Sequence, residues 1–141
     1  MEGCFLGIPS LAVSLNGGVH FRDAAEVTRA LVEMFLKSPE PPSRTFFNIN
    51  IPDVARDQMG NVMVTRLGKR RSAQPIIADK DPRGLPIYWV GPVGEAADAR
   101  QGTDFHAVQH HQVSLTPMKI DMTDYDIFSE VQTWVDAMDV Q

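Results

Sequence analysis

Apolar positions along this 141-residue chain follow two rhythms, one of period two and one of period 3.6. Leu11-Ala12-Val13-Ser14-Leu15 is a dense apolar run of strand length, read as a buried strand, and Asn16-Gly17-Gly18 ends it as a loop. Ala24, Val27, Leu31, Met34 and Phe35 then recur at helical spacing. Asp23 and Glu26 in the first turn and Lys37 at the end suit the dipole of that helix. Pro39-Glu40-Pro41-Pro42 stops it. Thr45 to Ile51 reads as a second strand, closed by Pro52. Strand, helix, strand at these lengths is a βαβ unit, expected to cross over right-handedly with both strands parallel in one sheet.

After Asp53 the pattern changes. Val62, Val64 and Arg66 alternate with Met63, Thr65 and Leu67, which predicts a strand ending near Gly68. Segments 73–78 and 86–90 are further strand candidates, separated by the turn Asp81-Pro82-Arg83-Gly84. Residues 60–92 are therefore expected to form a long antiparallel hairpin, followed by a loop from Gly91 to Gly102. Asp104 to His110 predicts a short helix, and 113–121 a strand interrupted or edged by Pro117. Thr123 with Asp126 three residues on is a capping signature. Ile127, Val131, Trp134 and Met138 then form a helical stripe, joined by Phe128 and Val135, of the kind that lines a core or a subunit interface. At the other end, no capping residue precedes Met1–Gly7, which reads as the last turn of a helix whose beginning lies elsewhere.

Composition narrows the possibilities. At 43% apolar and 22% charged, the chain has the make-up of a globular domain, or part of one, and not of a disordered segment. A net charge of −5 argues against non-specific binding to nucleic acid or to an anionic membrane. Lys69-Arg70-Arg71 is the one basic run, fit either for a local anion or for a solvated turn. Cys4, the only cysteine, stands among apolar neighbours, so neither a disulfide framework nor a thiolate metal site is expected. No apolar run approaches the roughly 18–20 residues of a membrane span.

Candidate chemistry is sparse. His106 and His110 would share a helix face at i, i+4, and with Asp104 nearby they offer imidazole and carboxylate ligands suited to zinc or manganese. The competing reading makes them surface or partly buried histidines, since no further ligand or general base follows at a recognisable spacing. His20 reads as a structural contact at a helix start. Walker, dinucleotide and nucleophile-elbow motifs are all missing, so spacing alone names no catalytic constellation.

The motifs taken in order nevertheless resemble one family. MEGCFLGIPSLAVSL at 1–15, HFRDAA at 20–25, FNINIP at 47–52, VTRLGKR at 64–70, DPRG at 81–84, YWVG at 88–91, GTDF at 102–105 and VSLTPMKIDMT at 113–123 are similar to SurE-type survival proteins. That resemblance implies an α/β, Rossmann-like three-layer fold with a long β-hairpin extension and a C-terminal helix. It implies metal-dependent hydrolysis of nucleoside monophosphates, a 5′/3′-nucleotidase activity. The match covers only the later part of the family's chain, a little over half. Residues 1–58 would then be the end of the α/β core, and 59–141 the hairpin extension, loop and C-terminal oligomerisation segment.

In the family the Mg²⁺ or Mn²⁺ ligands, and a Ser-Gly-Thr segment by the substrate phosphate, lie in the earlier half. No metal ligand or catalytic residue is therefore expected among these 141, and the chain alone is expected to be inactive. A non-catalytic oligomerisation or binding module of the same lineage is the alternative. Gly102, Thr103 and Asp104 match the family's GTD and are expected on the substrate side, or else in an Asx-type turn that anchors the loop. Arg83 and Arg66 are candidates for anion contacts or for structural salt bridges. The resemblance further implies a homodimer or homotetramer; the lone cysteine fits a cytoplasmic location, and the net charge leaves neither nucleic acid nor membrane as an expected partner. It also places Leu11–Leu15 in mid-sheet. The chain departs from the family pattern at His111, where many members have Gly, at Gln112, and at Tyr125-Asp126.

Overall fold

The structure is a computed structural model that describes residues 1–38 and 45–138; the predicted proline stop at 39–42 lies outside them. A short helix, α1 (Glu2–Phe5), leads into strand β1 (Ser10–Asn16), helix α2 (Phe21–Leu36) and strand β2 (Thr45–Pro52). β1 and β2 are parallel, with Val13 opposite Ile49 and Leu15 opposite Ile51. The βαβ reading of the first fifty residues is thus the observed one.

Two more strands complete the central sheet. β3 (Val62–Val64) lies at the edge opposite β1, and the strand between it and β2 comes from far along the chain. The remaining elements are β4 (Lys69–Arg70), β5 (Ile77–Lys80), β6 (Pro86–Trp89), β7 (Ala96–Asp98), α3 (Asp104–Gln109), β8 (Val113–Lys119) and α4 (Phe128–Asp136). The sheet order is β1-β2-β8-β3, with β8 antiparallel to β2 and parallel to β3. Sequence stretches on both sides of residue 58 therefore enter one sheet. Among the described residues β1 pairs only with β2, and Ala12, Val13 and Ser14 are exposed where a buried strand was expected.

The hairpin differs in extent from the expected 60–92. β3 belongs to the sheet, and the antiparallel arm is built from β4 with β7 and β5 with β6, running from Lys69 to Asp98. Part of the expected Gly91–Gly102 loop is thus strand β7. Pro117 lies in β8 beyond Leu115, the last residue that β3 pairs, so a missing N–H is tolerated there.

Alternation sorts the sheet into two faces. Ile49, Ile51, Val113 and Leu115 join Ala24, Val27 and Leu31 of α2 and Met59 in one buried cluster. Phe35 packs on Phe47 at 4.4 Å between ring centroids. The intervening positions, Asn48, Asn50, Ser114 and Thr116, face the other way, towards α3. Helix, sheet and helix make three layers, an α/β fold.

Two local features have clear physical causes. His111 has φ +58, a left-handed conformation in which glycine is favoured. It follows α3, with its own N–H donated to the Val108 carbonyl and the Gln112 N–H to the Ala107 carbonyl, the paired bonds of a Schellman helix end. At the C-terminus, Asp124 and not Thr123 is the cap: its side chain accepts the Asp126 N–H across a 3₁₀ turn, Tyr125–Ile127, that precedes α4. Thr123 instead donates its N–H to Asp121. The apolar stripe of α4 buries none of its residues within the chain, and Trp134 remains 57% exposed.

Candidate functional site: a polar cleft at the root of the arm

On the polar face of the sheet lies an open cleft of about 330 Å³. Asn16, at the carboxyl end of β1, and Asn48 and Asn50, from β2, form its floor. Asp104, Phe105, Val108 and Gln109 of α3 form one wall, and Arg70 and Ala96 from the arm the other. Among the described residues the three asparagine amides have no side-chain hydrogen-bond partner. Position in the fold agrees with chemistry here, since ligands of open α/β sheets bind near the carboxyl ends of the strands.

A buried hydroxyl network supports this floor. Thr65 Oγ1 lies 2.8 Å from Ser114 Oγ and 2.7 Å from Thr116 Oγ1, and all three residues are buried. Ser114 and Thr116 stand opposite Asn50 and Asn48 in the β2–β8 ladder. Polar residues on this face are thus packed and paired behind the cleft, and free only where they line it.

The Gly102-Thr103-Asp104 segment shapes the wall by holding the loop. Gly102 has φ +87, and its carbonyl accepts the Arg66 N–H. Thr103 is fully buried and caps α3: its Oγ1 accepts the His106 N–H at 3.1 Å and donates to the Arg100 carbonyl at 2.8 Å. Asp104 Oδ1 accepts the Gly68 N–H at 2.7 Å and the Phe105 N–H at 2.9 Å. Gly68 must be a glycine, because a Cβ there would strike the Phe105 ring and the Asp98 carbonyl. Of the three GTD residues, only Asp104 lines the cleft.

Arg66 and Arg83 are placed apart from each other. Arg66 Nη1 pairs with Asp98 Oδ2 at 2.9 Å, and Arg100 Nε with Asp98 Oδ1 at 2.9 Å. These two guanidinium groups, Arg100 foremost, hold the Asp98 carboxyl well below the usual carboxylate range. Arg83 sits exposed in the β5–β6 turn, its N–H donated to Asp81, and does not line the cleft.

The histidines stack on each other, and Asp104 does not join them. The His106 and His110 rings lie 4.0 Å apart, as their i, i+4 spacing on α3 requires, but Asp104 is turned away to Gly68 and Phe105. Among the described residues no group of three or more His, Cys, Asp or Glu side chains is placed to hold a metal ion. His20 makes a structural contact, its Nδ1 2.9 Å from Asp53 Oδ1. Asp53 also accepts the N–H groups of Gly18, Val19 and His20, tying the start of α2 to the end of β2. The His20 amide above all, with the Gly18 and Val19 amides and the His20 ring, brings this carboxyl down to about 2 against the opposing push of burial.

The asparagine floor was missed by reading the sequence for core positions alone. Its signal was present in Phe47-Asn48-Ile49-Asn50-Ile51, where alternate residues of a strand carry amides.

Residues 1–74 match the family model described as "Survival protein SurE". The 5'-nucleotidase SurE of Coxiella burnetii (strain RSA 331 / Henzerling II) is 46% identical over 99% of this chain and 55% of its own length. The protein of the same name from Nitrosococcus oceani is 47% identical over 96% of this chain and 54% of its own. The chain thus spans about half the length of the curated relatives it matches. Among solved structures, the SurE protein from Aquifex aeolicus superposes with a TM-score of 0.74 at 34% identity, over 96% of this chain and 55% of that one. A match to the family model over more than half the chain, with the same fold in a solved member, shows that this chain belongs to the SurE family.

Proposed function

We propose that this chain forms the substrate-facing later part of a metal-dependent nucleotidase that hydrolyses nucleoside monophosphates. The observation that carries the reading is the cleft, where three unpartnered asparagine amides from β1 and β2 and an arginine from the arm line one space, in a chain related to proteins named 5'-nucleotidase. Amides serve a nucleotide well, since each offers donors and an acceptor to phosphate, sugar or base edge. In this reading Asp104 and the Gly102-Thr103 turn set the cleft wall.

The residues described here do not fit a divalent cation, so no step through a metal is assigned to them. A bound Mg²⁺ or Mn²⁺, held by residues outside these 141, would polarise the phosphoryl group and supply the attacking hydroxide. Taken alone, the chain would be inactive. The exposed apolar stripe of α4 and exposed Tyr88 and Trp89 on the arm support assembly as a homodimer or homotetramer, and a cytoplasmic location agrees with the lone cysteine.

A chimera tests the activity. This chain replaces the corresponding part of the Coxiella burnetii relative, and phosphate release from adenosine monophosphate is measured with Mn²⁺. The expected result is release by the chimera, none by the 141-residue chain, and a loss of at least tenfold in the chimera carrying Asn50→Ala. A folded but inactive chimera would overturn the reading. Mn²⁺-dependent release by the isolated chain would overturn its inactivity.

A further inference from the structure

The cleft is lined by a cation that has no ion-pair partner among the described residues. Arg70 lies on β4 at the root of the arm and reaches the cleft wall. Its guanidinium carbon stands 4.7 Å from the centroid of the Phe105 ring, and its Nη1 donates to the Gly94 carbonyl at 3.2 Å. Those contacts orient the planar fork without tying it into an ion pair. Asp98 pairs with Arg66 and Arg100, and Asp104, on the opposite wall of the same cleft, turns its Oδ1 to two backbone N–H groups and makes no ion pair with Arg70. Among the described residues none forms an ion pair with Arg70.

Its basic neighbours do not share this position. Lys69 and Arg71 are absent from the cleft lining; Lys69 stands opposite Asp98 in the β4–β7 pair, and the Arg71 N–H is donated to the Glu95 carbonyl. Of the basic run, then, only Arg70 combines a cleft position, an aromatic platform and an unpaired charge. A permanently charged planar fork beside neutral amides matches a phosphate monoester, whose oxygens accept paired N–H bonds.

We propose that Arg70 is the anion anchor of the cleft, binding the phosphoryl group of a phosphate monoester, and that the arm carries this charge to the sheet. The proposal rests on the reading of the cleft as the substrate side. It also links two parts of the fold. β4 pairs with β7, and the Asp98 clamp and the Asp104–Gly68 bond hold the arm root against α3, so a shift of the arm withdraws the guanidinium from the asparagine floor.

Titration of the 141-residue chain with inorganic phosphate, adenosine monophosphate and adenosine tests this, followed by NMR of the arginine Nε–H and asparagine amide signals at low ionic strength. Phosphate and the monophosphate should shift the Arg70 and Asn50 signals, and adenosine should leave Arg70 unmoved. Arg70→Gln should weaken phosphate binding at least tenfold while keeping a dispersed, folded spectrum, as expected for loss of a charge-assisted pair. Arg70→Lys should recover part of the affinity, and Phe105→Leu should fall between wild type and Arg70→Gln. Unchanged phosphate affinity in Arg70→Gln, or no binding by the wild-type chain, would overturn the anchor. Should Arg70→Gln leave the chimera's KM unchanged, the anchor falls and the nucleotidase reading stands. If Arg70 binds phosphate but the folded chimera is inactive, the nucleotidase reading falls instead.

Discussion

The two faces of the central sheet are made from the same strands, yet one is a core and the other the floor of an open cleft. In β2, Ile49 and Ile51 are fully buried against α2, while Asn48 and Asn50, alternating with them, line the cleft. In β8, Val113 and Leu115 join the apolar cluster, while Ser114 and Thr116 join a hydroxyl network. Strand alternation makes this possible, and it also makes a one-residue slip ruinous, because it would put amides in the core and isoleucines in the cleft. The apolar face therefore fixes the register on which the polar face depends. The apolar parity builds the core, and the polar parity builds a hydroxyl network and lines the cleft.

The largest effect is expected where the apolar face is cut. Ile49→Ala removes a fully buried side chain and should cost about 2–5 kcal/mol, read from chemical denaturation. A loss under 1 kcal/mol would mean that the α2 face does not hold the register. Next comes the polar face behind the cleft. Thr65→Val keeps the shape but deprives the Ser114 and Thr116 hydroxyls of their shared partner, at a cost of about 1–3 kcal/mol. If that variant matched wild type in the same denaturation series, the network would be dispensable.

The smallest effect is confined to acid and concerns the anchor of α2. Asp53 has its carboxyl lowered from the ordinary 3.8 to about 2, so its contribution is complete above 3.8 and disappears as pH falls through 2. Asp53→Asn should flatten the pH dependence of stability in that window, measured by melting temperature at stepped pH. A variant whose acid profile overlaid that of the wild type would show that the Gly18–His20 loop is held by other means.

Much of this fold could be read locally. The α2 stripe, the β1 and β2 runs, the Asp81–Gly84 turn and the α3 helix all follow from periodicity or turn chemistry within a few residues. The place of β8 could not, because it inserts between β2 and β3, and nothing near Val113 names partners 49 to 51 residues away at Thr65. For the same reason the hairpin was expected to begin at residue 60, when β3 is claimed by β8 and the arm starts at Lys69. His111 is an instructive case. The resemblance marked it as a glycine position, and the structure supplies the cause, a left-handed residue closing α3.

By itself the sequence determined the family, the βαβ opening, and which parity of each strand is apolar, because these are written in local spacing and ordered motifs. Only the tertiary structure decided that Arg70 lines the same cleft as Asn16, Asn48 and Asn50. Those residues come from the arm and from two strands, and nothing in their own neighbourhoods requires them to meet. The β4–β7 pairing, the Gly68 contact with Phe105 and the Asp98 clamp bring them together, and each is a long-range contact that exists only once the chain has folded.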